Sequence, residues 1–302
     1  MQCKFNRFII ILMLSVTLPG MAGDEAGKAV GCIGQVSGKV TVTAAGGKNV
    51  AAETGQPLYP GDVINTGEAA RALLLLSGQD VPVEVAANRS YTIDGAAKTS
   101  GWFSQLVAAV ASLTEENPEQ NYSSVLMVRG EENREAVVQI SPNITAIREA
   151  QPVFHWHTVP AADNYGVRLL DLDETALWSL ETADSTAAYP SGEPPLIPGE
   201  EYFLQVSAYR GKKLLGSGMA NFKLLSAENA ETLQTLEEAN RENPFVLASA
   251  YAAYELYDLA IAQIEQMRAG NPGNPNLDKM LANIYLRQGK AGQARALLDR
   301  PD

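Results

Sequence analysis

The stretch from Gly55 to Ile93 constrains the fold more than any other part of the chain. Its apolar runs, Val63-Ile64, Leu73 to Leu76 and Val83 to Val85, are short and are cut repeatedly by Gly, Pro, Asn and Asp. That is the pattern of short paired strands, whereas a helix needs an unbroken period near 3.6 residues. In Pro60-Gly61-Asp62 the proline fixes φ, the glycine admits a positive φ, and the aspartate accepts hydrogen bonds from backbone N–H groups. The Asp62 carboxylate therefore reads as a turn brace, ahead of any ligand role. Thr66-Gly67 and Ser77-Gly78 repeat the turn chemistry, and Leu73 to Leu76 reads as a buried strand. Upstream, Val36, Val40 and Val42 alternate with small or polar residues before Ala44 to Lys48 turns the chain. Together these segments predict a small all-β unit.

Written as G-x-x-L-x-P-G-D-x-I-x-T-G-x-x-x-R-x-x-L-x-L, the run from Gly55 resembles the FecR-like periplasmic domain, over residues 30–94. Pro82 departs from that pattern and suits an edge strand. The family includes sensors that pass an iron-siderophore signal from the outer membrane to a cytoplasmic sigma factor. Those sensors carry a cytoplasmic segment and a spanning helix ahead of the domain, and neither is read here. The resemblance implies a fold and a compartment and leaves the signalling role open.

Residues 1–22 read as a secretory signal peptide. Lys4 and Arg7 are followed by an apolar run from Phe8 to Leu18, and Gly20 and Ala22 are small residues placed for cleavage after Ala22. The apolar run is about half the roughly 20 residues a spanning helix needs, so no membrane span is expected in the mature chain. The formal net charge is −12, and removal of Lys4 and Arg7 makes it −14. This acidity disfavours nucleic acid and anionic lipid. Cys3 leaves with the leader, so Cys32 has no intrachain partner and is expected as a buried or idle thiol. Lipidation after Ala29-Val30-Gly31, or pairing between chains, is the alternative.

Residues 95–140 read as a bridge. Trp102, Phe103, Leu106, Val107, Val110 and Leu113 recur at helical spacing and predict a short amphipathic helix docked on the β unit. Its lack of Lys or Arg argues against a lipid surface. Val125 to Val128 and Ala136 to Ile140 read as strands. Residues 141–225 then carry about seven short strands, with Trp156 near the second of them, and resemble a fibronectin type III-like sandwich. His155 and His157 share one strand face. Two imidazoles without a third ligand are too few for a firm metal site, so a solvated face is expected and no metal.

Residues 226–302 change character. Ser226 to Asn229 can cap a helix through Leu233 and Leu236, and a self-match follows at a period of 34: Leu247 with Leu281, Ala248 with Ala282, Tyr251 with Tyr285, Ala260 with Ala294, Ile264 with Leu298. The period resembles the tetratricopeptide repeat (TPR). Asn271-Pro272 breaks the chain between hairpins. The resemblance implies a partner-binding groove lined by the first helix of each hairpin, here Phe245, Ser249 and Ala253, then Lys279, Asn283 and Arg287. A plain packing platform is the other reading of the same positions.

No G-x-S-x-G elbow or H-E-x-x-H pair occurs. Gly34-x-x-x-Gly38-Lys39 is too short for a phosphate loop and reads as a strand turn. Asp171, Asp173 and Glu174 lack the glycine and distal Glu of a calcium loop. The expectation is a multidomain, non-catalytic periplasmic or secreted protein. It would comprise two all-β domains followed by an α-helical TPR array, three separately folding modules strung together for contact surfaces. Its partners would be proteins of the cell envelope, with envelope glycan as a second class of contact and no cofactor. The alternative is a signal-sensing subunit acting through a separate membrane protein.

Overall fold

The structure is a computed structural model that describes residues 29–77, 79, 82–95, 102–113 and 136–299. The leader region and Val125 to Val128 lie outside the described residues. Eight strands form the first β unit: β1 (Gly31–Ser37), β2 (Val40–Thr43), β3 (Asn49–Ala51), β4 (Pro57–Leu58), β5 (Val63–Thr66), β6 (Arg71–Leu76), β7 (Val83–Val85) and β8 (Ser90–Thr92). They make two four-stranded antiparallel sheets, in the orders β4-β1-β6-β7 and β3-β2-β5-β8. Pro82 directly precedes β7, an edge strand, where its missing N–H costs no ladder bond. Asp62 is buried and its Oδ2 accepts from the Tyr59 N–H at 2.8 Å, which closes the turn at Gly61 (φ +90°).

The run Leu74 to Leu76 of β6 is apolar on both faces because both are covered there. Ala72, Leu74 and Leu76 point between the two sheets, against Ile33, Val40, Val42, Ile64 and Ile93. Leu75 points the other way and, with Cys32, joins a second core made largely by helices. Side chains alternate across a strand, so a continuous apolar run marks a strand buried on both sides. Gly31 sits where β1 passes between its neighbours. A β-carbon there would overlap the Leu75 carbonyl oxygen and lie 2.7 Å from Leu76 Cδ2. Gly31→Ala is expected to cost roughly 1–3 kcal/mol or more, seen as a lower urea midpoint; an unchanged midpoint would contradict it.

Helix α1 (Trp102–Leu113) follows. Then come β9 (Ala136–Val137), β10 (Ile140–Ser141), β11 (Thr145–Ile147), β12 (Val153–Trp156), β13 (Asn164–Leu170), β14 (Ala176–Thr182), β15 (Thr186–Ala188), β16 (Glu201–Arg210) and β17 (Lys213–Leu224). A three-stranded sheet, β10-β12-β15, faces a larger sheet ordered β11-β17-β16-β13-β14, with β9 also paired to β17. This is a fibronectin type III-like sandwich. Phe154, fully buried, lies with its ring centroid 6.2 Å from that of Trp178 and 5.7 Å from that of Phe222. His155 and His157 are exposed. Asp171 Oδ1 accepts from the N–H groups of Asp173 and Thr175, so this acidic run forms a hairpin tip.

Five helices complete the described residues: α2 (Ala227–Ala239), α3 (Pro244–Ala253), α4 (Tyr257–Gly270), α5 (Pro275–Arg287) and α6 (Ala291–Leu298). Ser226 caps α2, while Asn243 and Asn274 cap α3 and α5 just ahead of a proline at the helix start. Leu233 and Leu236 turn the inner face of α2 into the helical core.

The expectation of three separately folding modules is corrected by how the cores connect. Cys32 and Leu75 of the first β unit, Leu106, Val107, Val110 and Leu113 of α1, and the inner faces of α2 to α5 belong to one continuous apolar cluster. The first unit and the last one therefore share a core across the intervening sandwich. The sandwich keeps a core of its own.

Candidate functional site

The six positions read as a groove gather on the inner side of α3 and α5. Phe245, Ser249 and Asn283 are buried there, at 1%, 0% and 2% exposure, while Ala253, Lys279 and Arg287 are partly exposed. The chain itself covers this face. Helix α1 lies on α3, α5 and β1, and α3 also meets β1. The surface that the sequence assigns to a partner peptide thus holds a helix of the same molecule. That helix docks on the β unit, as its periodicity predicts, and on the helical hairpins besides.

The polar members of the face hold α1 in place. Asn283 Nδ2 donates to the Leu113 carbonyl at 2.7 Å and to the Lys279 carbonyl at 3.1 Å. Arg287 donates to Ser112 Oγ at 2.7 Å, and the Ser112 hydroxyl in turn donates to the Ala109 carbonyl. Ser249 closes its own bond onto the Phe245 carbonyl at 2.7 Å. These groups are spent inside the fold, which the register of a repeat does not reveal.

Two open clefts flank the contact between α3 and the first β unit. One, of about 490 Å³, is bordered by Glu53, Asn271 and Asn274. The other, of about 540 Å³, is bordered by Arg71, Glu84 and Glu242. Gln35 and Asn243 reach both. Most of the polar side chains at their edges are amides and carboxylates, which pair with hydroxyls or peptide groups. Next to the first cleft, Asn274 and Asn276 bond the Thr54 carbonyl and the Glu53 carboxylate.

The junction with the sandwich was missed by the sequence reading. Glu255, at φ +61° in the turn between α3 and α4, presents its carbonyl to both Ala146 N–H (2.8 Å) and Thr145 Oγ1 (3.0 Å). Its carboxylate pairs with Lys223. A turn carbonyl carries no sequence signature, so nothing in the pattern could have found it.

Beside this junction the Glu237 carboxylate accepts from Arg148 and from the Tyr251 hydroxyl, at 2.7 and 2.8 Å. Burial, and then Glu237, push the Tyr251 phenol from 10.0 up to about 12, while Arg148 pulls the other way. The folded state thus keeps a proton that the unfolded chain releases. The resulting stability is fully present below pH 10.0 and is lost as pH rises to about 12. Tyr251→Phe should flatten that part of the alkaline unfolding curve; an identical slope in the variant would count against the pairing.

Cys32 is buried, and burial pushes its thiol upward, away from the reactive thiolate. Among the described residues no cluster of three His, Cys, Asp or Glu could hold a metal, and no helix is long and apolar enough to cross a membrane.

A tetratricopeptide repeat family model matches residues 251–301, the stretch that contains α4, α5 and α6. Comparison with curated proteins gave no match. Among solved structures the chain is similar to a cell surface anchoring domain, at 22% identity over 22% of this chain and 88% of that one, with a TM-score of 0.21. It is also similar to the fn3 domain of the human collagen alpha-1(XX) chain, at 13% identity, 33% and 94% coverage and a TM-score of 0.25. A third similarity is to the FN1-FN3 domains of chicken CNTN1, at 10% identity, 66% and 57% coverage and a TM-score of 0.24.

Proposed function

We propose that this chain is a non-catalytic binding and scaffold protein of the bacterial cell envelope, in which a FecR-like β unit and a fibronectin type III-like sandwich are held on a TPR platform. The observation that carries the reading is the face of α3 and α5, which binds a helix from a distant part of the sequence through apolar contact and through side chains aimed at that helix's last turn. A surface built to hold helices is the equipment of a protein-binding module. The leader pattern of residues 1–22 supports a periplasmic or secreted location. The amide- and carboxylate-lined clefts support envelope glycan as the second class of contact.

The test is fractionation with in-cell cross-linking. The reading expects a mature chain beginning after Ala22 in the periplasmic or secreted fraction, with cross-links from Lys279 to envelope proteins that Arg287→Glu weakens. Recovery of the unprocessed chain from the cytosol, or turnover of peptidoglycan by the purified protein, would overturn it.

A further inference from the structure

Helix α1 bears no charged side chain along its 12 residues and no basic group in its last turn. The final carbonyls of any helix lack intrahelical partners and form the negative end of its dipole. Two side chains of α5 supply what α1 lacks: the Asn283 amide at the Leu113 carbonyl and the Arg287 guanidinium at Ser112 Oγ. Along its length the helix is held by Leu106, Val107, Val110 and Leu113, each 3% exposed or less. No described residue of α1 joins a β ladder.

The hold includes apolar packing, one amide on the Leu113 carbonyl and one guanidinium on the Ser112 hydroxyl, with no β ladder in it. A 12-residue helix is at the lower limit of the roughly 12–15 residues at which isolated helices become even marginally stable in water. Ordering α1 opposes its docking, and its release without unfolding of the sheets and hairpins around it would be a local opening.

We infer that α1 is a displaceable resident of this face, and that the partner the face takes is an uncharged apolar helix whose last turn offers a carbonyl to Asn283 and a hydroxyl to Arg287. The inference rests on the reading of the chain as a protein-binding scaffold. A partner helix meets α1 as a competitor, and its apparent affinity falls by the fraction of molecules in which the face is open.

Two measurements on the intact chain decide the matter. In native-state hydrogen exchange, amides of α1 are expected to exchange at least about a hundredfold faster than those of α3 and α5. Equal protection overturns the inference, whatever any variant does. In the second, a labelled peptide with the sequence Trp102 to Leu113 and blocked ends is titrated onto the chain. Val107→Ala, which loosens the resident helix, should tighten peptide binding about tenfold, and Asn283→Ala added to it should weaken that binding again. Peptide affinity indifferent to Val107→Ala overturns the inference. Capture of envelope proteins by a chain whose α1 stays as protected as α3 and α5 would leave the scaffold reading standing and remove this one. Peptide binding with no envelope partner would do the reverse.

Discussion

Phe245→Ala is expected to destabilise the protein by roughly 3–5 kcal/mol, the cost of emptying a well-packed aromatic site. The ring is 1% exposed and faces both Gly34 and Gly55, where an added β-carbon would come within 3.6 Å of it. Because it joins the helical cluster to the outer face of β1 and β6, its loss should unfasten both. In urea titration of the chain without residues 1–22, helical circular dichroism and the reactivity of the Cys32 thiol should move together to lower midpoints. Helices that melt while Cys32 stays protected would show that the shared core is not one cooperative unit.

Phe154→Ala should cost about as much, again roughly 3–5 kcal/mol, but in a different place. Phe154 is fully buried among Trp178, Phe222 and the other aromatics of the sandwich, a cluster separate from the one containing Cys32. The sandwich meets the helices through Ala146 and Leu225, which pack in the helical cluster, and through polar contacts at Thr145, Glu255, Arg148 and Lys223. Exposed ion pairs of that kind contribute at most about 1 kcal/mol each. The transition reported by Trp156 and Trp178 fluorescence should therefore shift, while the Cys32 midpoint stays. An equal shift in both would mean that the junction couples the units far more tightly than its bonds suggest.

Local features were legible in the sequence. Turn chemistry at Pro60-Gly61-Asp62, the cap at Ser226 and the break at Asn271-Pro272 are decided by a few neighbouring residues, and each stands where its chemistry places it. The 34-residue self-match likewise marked helices that exist, since it reports small residues where two helices cross.

What covers an apolar face was not legible. The periodicity of α1 told that it docks, and the run Leu73 to Leu76 told that its strand is buried, yet neither names its neighbour. Hydrophobic burial is non-directional, so pattern identifies a face and leaves its occupant open. Asn283 shows the same limit for polar groups. At a groove position its amide reads as available to a partner, and in the fold it caps a helix more than a hundred residues upstream. Glu255 lay beyond reach because the group it uses is a backbone carbonyl, which every residue has.

The shared core also sets the order in which the molecule can be completed. A ribosome releases β1 long before α3 has been made, so the sheet face carrying Cys32 and Leu75 lacks the part of its cover that α3 supplies until synthesis is nearly over. Closing contacts so far apart along the chain slows folding. A nascent or truncated chain that stops short of residue 226 has only α1 to cover this sheet and lacks the helices that complete the core, and it is the species most prone to aggregate.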